Sequence, residues 1–362
     1  MKTKLNLSST NPFDFQKNEN IFFEDLNKQV LHHYKNNSYI KFLYDREGFN
    51  PEKFIANKDQ LALIPYVHVN TFKYQNLQSC EDEEIVLRLT SSGTNGQKSQ
   101  MLLDQASLER VKEMAFNVYN ELGIVDKKKY NYLCFTYDPH VANDLGTAFT
   151  DELLTSFTDK EEIFYTFIHD GNEFVFDKDL TVNKLKEFSK SKYPTRILGF
   201  PAFLYQIIKE YDLKIDLGAD SWLLTGGGWK ENADKEISKE EFKLLVQNRL
   251  GIPVKQTRDL FGMVEHGVPY VECDQSKFRI PNYSRVLVRD PISMEVLPYG
   301  RVGLLQFICC YNTSYPSFNY LSTDIGKVIK TDDGMGDELV LLGRAGQTKH
   351  SGCAIKALEL MR

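Results

Sequence analysis

A chain of 362 residues, 42% hydrophobic and 26% charged with a formal net charge of −6, has a globular composition and length for one large domain plus a smaller one. The acidic balance and the lack of a basic block exclude a nucleic-acid partner from the expectation, so any anion is held by a local site. No apolar run approaches the ~20 residues of a membrane span, the start Met1-Lys2-Thr3-Lys4-Leu5-Asn6 lacks a signal-peptide core, and six cysteines without a C-x-x-C pair suggest a reduced, cytoplasmic protein.

Up to about residue 80 the chain reads as mainly helical. Ile21 to Tyr44 sets Phe22, Leu26, Val30, Leu31 and Tyr34 at helical spacing, with acids early and bases late, which suits the helix dipole. Ile64-Pro65 ends a helix or opens an extended segment. Ile85 to Leu89 reads as a strand, and Leu102 to Leu122 spaces its apolar residues as an amphipathic helix. Further strands are expected at Tyr132–Phe135, Arg196–Phe200, Ser221–Thr225 and Val254–Gln256, and helices at Thr181–Lys190, Pro201–Tyr211 and Ser238–Leu250. That alternation argues for layered α/β sheets. After Val286 the texture changes to β hairpins at Arg285–Arg289, Gly303–Ile308, Lys327–Ile329 and Glu338–Leu342, separated by turn residues such as Asp290-Pro291 and Asp332-Asp333-Gly334.

Between the first strand and helix lies Thr90-Ser91-Ser92-Gly93-Thr94-Asn95-Gly96-Gln97-Lys98-Ser99. Small residues, hydroxyls, exposed amides and one lysine can surround phosphate oxygens, although similar loops are also ordinary turns. The spelling is not that of a Walker A loop. Gly226-Gly227-Gly228 after a strand lets a ligand approach the backbone closely, or forms a flexible turn. Leu260-Phe261-Gly262-Met263-Val264-Glu265-His266-Gly267 sets a carboxylate and an imidazole in a glycine-bounded loop, where Glu265 is a candidate Mg²⁺ ligand or a solvated acid. Asp324, at the end of the β run Tyr320 to Gly326, can accept ribose hydroxyls or form an Asx turn, and Gly343-Arg344 brings a charged fork after the last strand.

Taken in order, Thr90–Ser99, Gly226–Gly228, Phe261–Glu265, Thr323–Gly326 and Gly343-Arg344 resemble the adenylate-forming superfamily from about Ile64 to the C-terminus. The lead-in Ile64-Pro65 … Phe72-Lys73 and the S-S-G-T-x-G-x-K-S loop most resemble the LuxE type, the acyl-protein synthetases of fatty acid reductase systems, related to phenylacetate-CoA ligases. The resemblance implies an α/β fold: an adenylate-forming large domain of layered sheets plus a small β region, with a much reduced C-terminal domain. The boundaries expected are a helical segment over 1–80, an adenylation domain over 81–342 and a tail over 343–362. It further implies that Ser91, Ser92, Gly93, Thr94, Gly96 and Lys98 grip the β- and γ-phosphates of ATP, and that Gly226, Gly227 and Gly228 border the adenine and acyl pocket. Phe261 would stack near the adenine, Glu265 would bind Mg²⁺, Asp324 would take the ribose hydroxyls and Arg344 would assist there. His140 is a candidate gate to the carboxylate site.

The tail Lys349-His350-Ser351-Gly352-Cys353-Ala354-Ile355-Lys356 places Cys353 where LuxE-type proteins carry the thiol that accepts the acyl group. Nearby cations favour a thiolate, while the plain alternative is a small buried cysteine. The late lysine of full-length ligases is absent unless Lys349 or Lys356 stands in for it. The expected activity is ATP- and Mg²⁺-dependent conversion of a fatty carboxylic acid to acyl-AMP, transfer to Cys353, and delivery to a partner such as an acyl-CoA reductase. Alternatives are an acyl- or aryl-CoA ligase, a non-catalytic nucleotide-binding protein, and a cysteine acyltransferase using pre-activated donors.

Overall fold

A computed structural model describes residues 3–90, 99–138, 146–169, 174–229, 236–273 and 277–345. The chain divides into two compact units, one made of Met1–Glu121, Met263–Tyr270 and Lys277–Arg362, the other of Leu122–Gly262 and Val271–Ser276. No helix among the described residues is long and apolar enough to cross a membrane.

The first unit opens with helices α1 (Phe15–Asn36) and α2 (Ser38–Glu47). The apolar pattern suggests one helix here, but Asn37 leaves the helical region at φ −133°, ψ 115° and its side chain accepts from the Ile40 amide at 3.0 Å. An asparagine that caps the next helix outcompetes continuation of the first. After β1 (Val67–His68) and α3 (Thr71–Tyr74) come β2 (Ile85–Thr90) and β3 (Gln100–Asp104), an antiparallel pair, and then α4 (Gln105–Glu121). Leu102 and Leu103 therefore belong to a strand rather than to the expected helix. The Asp104 carboxylate accepts from the Ser107 amide at 2.7 Å and starts α4 there.

The second unit continues with β4 (Lys129–Tyr137), α5 (Gly146–Thr155), β5 (Asp159–His169), β6 (Phe174–Phe176), α6 (Lys178–Phe188), β7 (Thr195–Gly199), α7 (Pro201–Glu210), β8 (Trp222–Gly226), α8 (Lys239–Leu250) and β9 (Thr257–Met263). Its strands lie in the order β9-β8-β7-β4-β5-β6, parallel except for β5 with β6. Leu133, Ile197 and Leu223 from the strands pack with Leu185, Leu204, Ile207, Val246 and Leu250 from the helices. Val254–Gln256, expected as strand, instead forms a 3-10 turn: Pro253 fixes its φ at −59° and the Gln256 amide donates to the Pro253 carbonyl at 2.9 Å, so β9 starts at Thr257.

The chain then returns to the first unit through β10 (His266–Val271), β11 (Phe278–Arg279), β12 (Ser284–Arg289), β13 (Gly303–Cys309), β14 (Asn319–Ile329) and β15 (Glu338–Arg344). The order β11-β15-β14-β13-β12 is antiparallel, with β1 added in parallel on β14. Lys327–Ile329 is the end of one eleven-residue strand rather than a strand of its own.

In the second unit, Asp151 on α5 is buried, and burial raises its carboxyl to about 7 against the opposing pull of the Thr136 hydroxyl. Its folded pKa lies above the unfolded value. Below about pH 4 both states hold the proton; between about pH 4 and pH 7 only the unfolded chain releases it. Stability therefore falls as pH rises through that window and levels off above it. Asp151→Asn removes the fall, so the variant's advantage over wild type should widen by about 2–3 kcal/mol between pH 5 and pH 8. Urea titrations of both proteins at the two pH values measure the gap; an unchanging gap would mean that Asp151 is already ionised when folded.

Candidate active site

In the first unit, β14 and β15 bring two of the sequence candidates together. Asp324 and Arg344 are direct partners across the ladder, and the Arg344 Nε donates to Asp324 Oδ1 at 2.9 Å. Gly343-Arg344 thus lies within the last strand rather than beyond it. An irregularity between Ile325 and Gly326 shifts the register, and Gly343 takes φ +148°. Such a bulge re-aims the side chain that follows it. Gly326 leaves no room for a Cβ, which would run into the Val340 carbonyl oxygen and approach Leu305 Cδ1 at 3.2 Å. Asp324 is buried, and its second oxygen, Oδ2, has no hydrogen-bond partner. Arg344 stays half exposed. One carboxylate oxygen is spoken for and the other awaits a donor.

Glu265 lies in the two-residue turn between β9 and β10. It is 7% exposed, and no ion pair is recorded for it among the described residues. The turn is held from its β10 side. His266 stacks on Tyr270 with centroids 5.5 Å apart, contacts Phe307 at 5.1 Å, and shares a 3.1 Å hydrogen bond through Nε2 with the Tyr270 hydroxyl, which pairs with Ser284 at 2.7 Å. Burial drives His266 down to about 3, so the ring is neutral. The Gly267 amide donates to the Tyr311 hydroxyl at 2.9 Å, and a Cβ there would lie 2.8 Å from Tyr311 and Val111. His266 is a core residue that fixes the turn.

The β2–β3 hairpin frames residues 91–98, with Thr90 opposite Gln100. Its outer edge is satisfied by a buried polar loop that the sequence reading did not single out. Asn312 and Ser314 donate to the Leu102 carbonyl at 3.2 and 2.9 Å, the Asp104 amide donates to Ser314 Oγ at 2.9 Å, and the Thr313 hydroxyl donates to Asp104 at 3.1 Å. Backbone groups of an unpaired strand edge must find partners, and here side chains supply them. Only the polar run Asn312-Thr313-Ser314 between apolar strands hints at this in the sequence.

In the second unit, Gly226, Gly227 and Gly228 close β8 at the carboxyl end of the parallel strands. Gly227 and Gly228 take φ +74° and +66°; a Cβ at Gly227 would collide with the Phe200 ring, while that of Gly228 would meet nothing within 4 Å. Only glycine turns the chain this way at low cost. The strand order reverses between β4 and β7, a place where ligands of open α/β sheets bind outside the carboxyl ends. Gly199 ends β7 there at φ +119°, with a would-be Cβ 2.9 Å from Phe135 Cβ. Around this corner Phe135, Phe167, Phe176, Phe200 and Phe203 form one ring cluster with centroids 5.1–6.3 Å apart, and all but Phe135 are partly exposed.

Phe261 lies partly buried in β9, and an ion network two residues earlier fixes that strand. Glu272, fully buried, pairs with Lys243 of α8 at 2.8 Å, and its carboxylate accepts from the Asp259 amide at 3.1 Å. Lys239 reaches Asp259 at 2.5 Å and Glu272 at 3.8 Å. Burial outweighs the pull of Lys239 and raises the Asp259 carboxyl. Ser91, Ser92, Gly93, Thr94, Gly96, Lys98, His140 and Cys353 lie outside the described residues. Among the described cysteines, burial raises the thiols of Cys134, Cys309 and Cys310, and burial with nearby acids lifts Cys80 to about 11.

Comparison with known proteins places this geometry in context. A family model described as "Acyl-protein synthetase, LuxE" matches residues 4–361. A long-chain-fatty-acid--luciferin-component ligase of Vibrio harveyi is 26% identical over 330 residues, covering 90% of this chain and 84% of that protein. The protein of the same name from Aliivibrio fischeri is 26% identical over 308 residues, covering 83% and 79%. Among solved structures, an open conformation of 2-hydroxyisobutyryl-CoA ligase in complex with 2-HIB-AMP and CoA superposes with a TM-score of 0.68 at 14% identity, over 93% of this chain and 72% of that one. At that identity the likeness is one of fold, the adenylate-forming fold expected from the sequence.

Proposed function

The chain belongs to the LuxE family of acyl-protein synthetases, ligases that activate a carboxylic acid, and from that premise we propose that it converts a long-chain fatty acid to acyl-AMP with ATP and captures the acyl group on Cys353. The observation that carries the nucleotide half is the Asp324 carboxylate, pinned by Arg344 through one oxygen and buried with the other unpaired. A buried carboxylate oxygen without a donor fits a ribose hydroxyl. Arg344, half exposed beside it, adds donors and positive charge. Glu265 fits a divalent cation, because a buried carboxylate that pairs with no cation among the described residues is costly until one arrives. Mg²⁺ there would neutralise phosphate charge as pyrophosphate departs.

The acid's carboxylate oxygen attacks the α-phosphorus, and the bond to pyrophosphate breaks. Within the second unit, Gly228 leaves open backbone at the carboxyl end of the strands, and the phenylalanine cluster offers an apolar wall to an acyl chain. Relatives that act on long-chain fatty acids by name support that substrate class. The Cys353 thiolate then attacks the acyl carbonyl and AMP leaves, giving a thioester for a partner such as an acyl-CoA reductase. The raised thiols of Cys80, Cys134, Cys309 and Cys310 make those four poor acceptors, leaving Cys353 and the partly exposed Cys273.

Intact-mass spectrometry after incubation with ATP, Mg²⁺ and fatty acids of graded length tests the reading. Wild type should gain one hydroxylamine-labile acyl mass, and Cys353→Ala should gain none while still exchanging pyrophosphate into ATP. No adduct on wild type, with acyl-CoA forming once coenzyme A is supplied, would instead establish a CoA ligase.

A further inference from the structure

The connection between β13 and β14 runs through the interior of the first unit instead of over its surface. Tyr311, Asn312 and Ser314 are fully buried, and Thr313 is 5% exposed. A buried loop must find partners for its backbone, and this one draws them from three separate elements. At one end the Tyr311 hydroxyl accepts from the Gly267 amide at 2.9 Å, two residues after Glu265. At the other end the loop grips β3 and the start of α4. The Thr313 amide donates to Ser107 Oγ at 2.9 Å, its hydroxyl donates to Asp104 at 3.1 Å, and the Asp104 amide donates to Ser314 Oγ at 2.9 Å.

The stretch between these ends is only two peptide units long, and each of its three carbonyls accepts a side-chain donor. Arg110 Nη1 of α4 reaches the Tyr311 carbonyl at 2.7 Å, and the Nε2 atoms of His33 and His32 on α1 reach those of Asn312 at 3.0 Å and Thr313 at 2.7 Å. The His33 ring is itself fixed, since Nδ1 takes the Ser79 hydroxyl at 2.8 Å and its face stacks on Phe318 at 5.0 Å. Apolar contacts slide, whereas a buried set of directional bonds holds one geometry. Gly267 shows that close seating is required at the Glu265 end: a Cβ there would lie 2.8 Å from both Tyr311 and Val111 of α4, so a side chain would lift the turn off its support.

A cation shared between a carboxylate and phosphates makes such a spacing matter. Mg²⁺ demands near-ideal octahedral geometry with ligands at about 2.0–2.1 Å, so its carboxylate has little freedom to shift. We propose that Tyr311–Thr313 is a spacer that sets the Glu265 turn at a fixed distance from β3, and so positions the carboxylate that takes the cation. This rests on the reading of Glu265 as the cation's ligand. Tyr311 and Thr313 are positioning residues, acting through the Gly267 amide at one end and Asp104 at the other.

Two measurements on the full chain test this. Mn²⁺ is titrated in the presence of α,β-methylene-ATP, with free Mn²⁺ read by electron paramagnetic resonance. Amide exchange of the peptide containing Gly267 is followed by mass spectrometry in the protein without metal or nucleotide. Thr313→Val keeps the shape of the side chain and removes the hydroxyl at the end remote from Glu265. It should weaken Mn²⁺ binding by roughly tenfold and speed exchange at Gly267. Thr313→Ser, which retains the hydroxyl, should match wild type in both. Tyr311→Phe should produce both changes more strongly, because it removes the Gly267 bond itself. Ser107→Ala, which takes away the acceptor of the Thr313 amide, gives the same reading where Thr313→Val folds poorly. A lowered urea midpoint with unchanged Mn²⁺ affinity would make the loop a stabilising element and overturn the inference. Losses confined to Tyr311→Phe, or unchanged exchange at Gly267 in Thr313→Val, would overturn it too, since the two ends then act separately. Glu265→Gln separates the inference from its premise. If that variant loses Mn²⁺ binding while Thr313→Val keeps it, only the inference fails. If Mn²⁺ binding does not depend on Glu265, the reading of that residue fails and the inference with it.

Discussion

Replacing Asp324 with alanine should lower kcat/KM for ATP in pyrophosphate exchange by roughly 10²- to 10³-fold. The reasoning is a count of bonds. A carboxylate that accepts from ribose hydroxyls makes hydrogen bonds of about 1.5–3 kcal/mol each, and every 1.36 kcal/mol is a factor of ten. Two such bonds to the free Oδ2, each near the lower end of that range, total about 3–4 kcal/mol and give that 10²- to 10³-fold; the larger share should appear in KM, because a ribose contact holds substrate and transition state alike. Asp324→Asn should fall almost as far, since the amide keeps the shape but presents only one neutral acceptor. Folding should change little: Arg344, the partner left behind, is 43% exposed and regains water. Isotope exchange at varied ATP concentration makes the measurement. A loss below threefold would reduce Asp324 to an anchor for Arg344.

The second large effect concerns stability. Lys243→Met strips the buried Glu272 of its 2.8 Å ammonium partner inside the second unit. Removing one member of a buried pair costs about 3–5 kcal/mol, because the remaining charge is neither solvated nor paired. Lys239, 3.8 Å from Glu272, and the Asp259 amide offset part of that, so the lower end of the range is expected. The double variant Lys243→Met with Glu272→Gln should recover much of the loss, since no orphan charge remains. Urea midpoints of the three proteins decide the matter; equal midpoints for wild type and Lys243→Met would show that Glu272 is hydrated or protonated. The same network holds Asp259, two residues before Phe261 in β9.

Much of the layered architecture was legible because it depends on local pattern. The amphipathic stretches at Thr181, Pro201 and Ser238 fold as α6, α7 and α8, and the apolar runs near Tyr132, Arg196 and Ser221 fold as the parallel strands β4, β7 and β8. Misreadings occur where one side chain or one distant strand overrules the pattern. Asn37 caps a new helix inside an unbroken apolar stripe, and Leu102-Leu103 joins a hairpin because β2 offers it a ladder. Spacing along a sequence carries no information about such partners.

By itself the sequence determined the order of the chemistry-bearing segments, the glycines that the corner after β8 requires, and the family to which that order belongs. It left Glu265 as a metal ligand or a solvated acid, and Asp324 as a ribose ligand or an Asx-turn residue. Only the tertiary structure decided that both are buried and that Asp324 faces Arg344 across twenty residues of chain. The physical reason is that burial and pairing are properties of long-range packing. A carboxylate's hydration, and hence what it will bind, is set by strands that meet only once the sheet has formed.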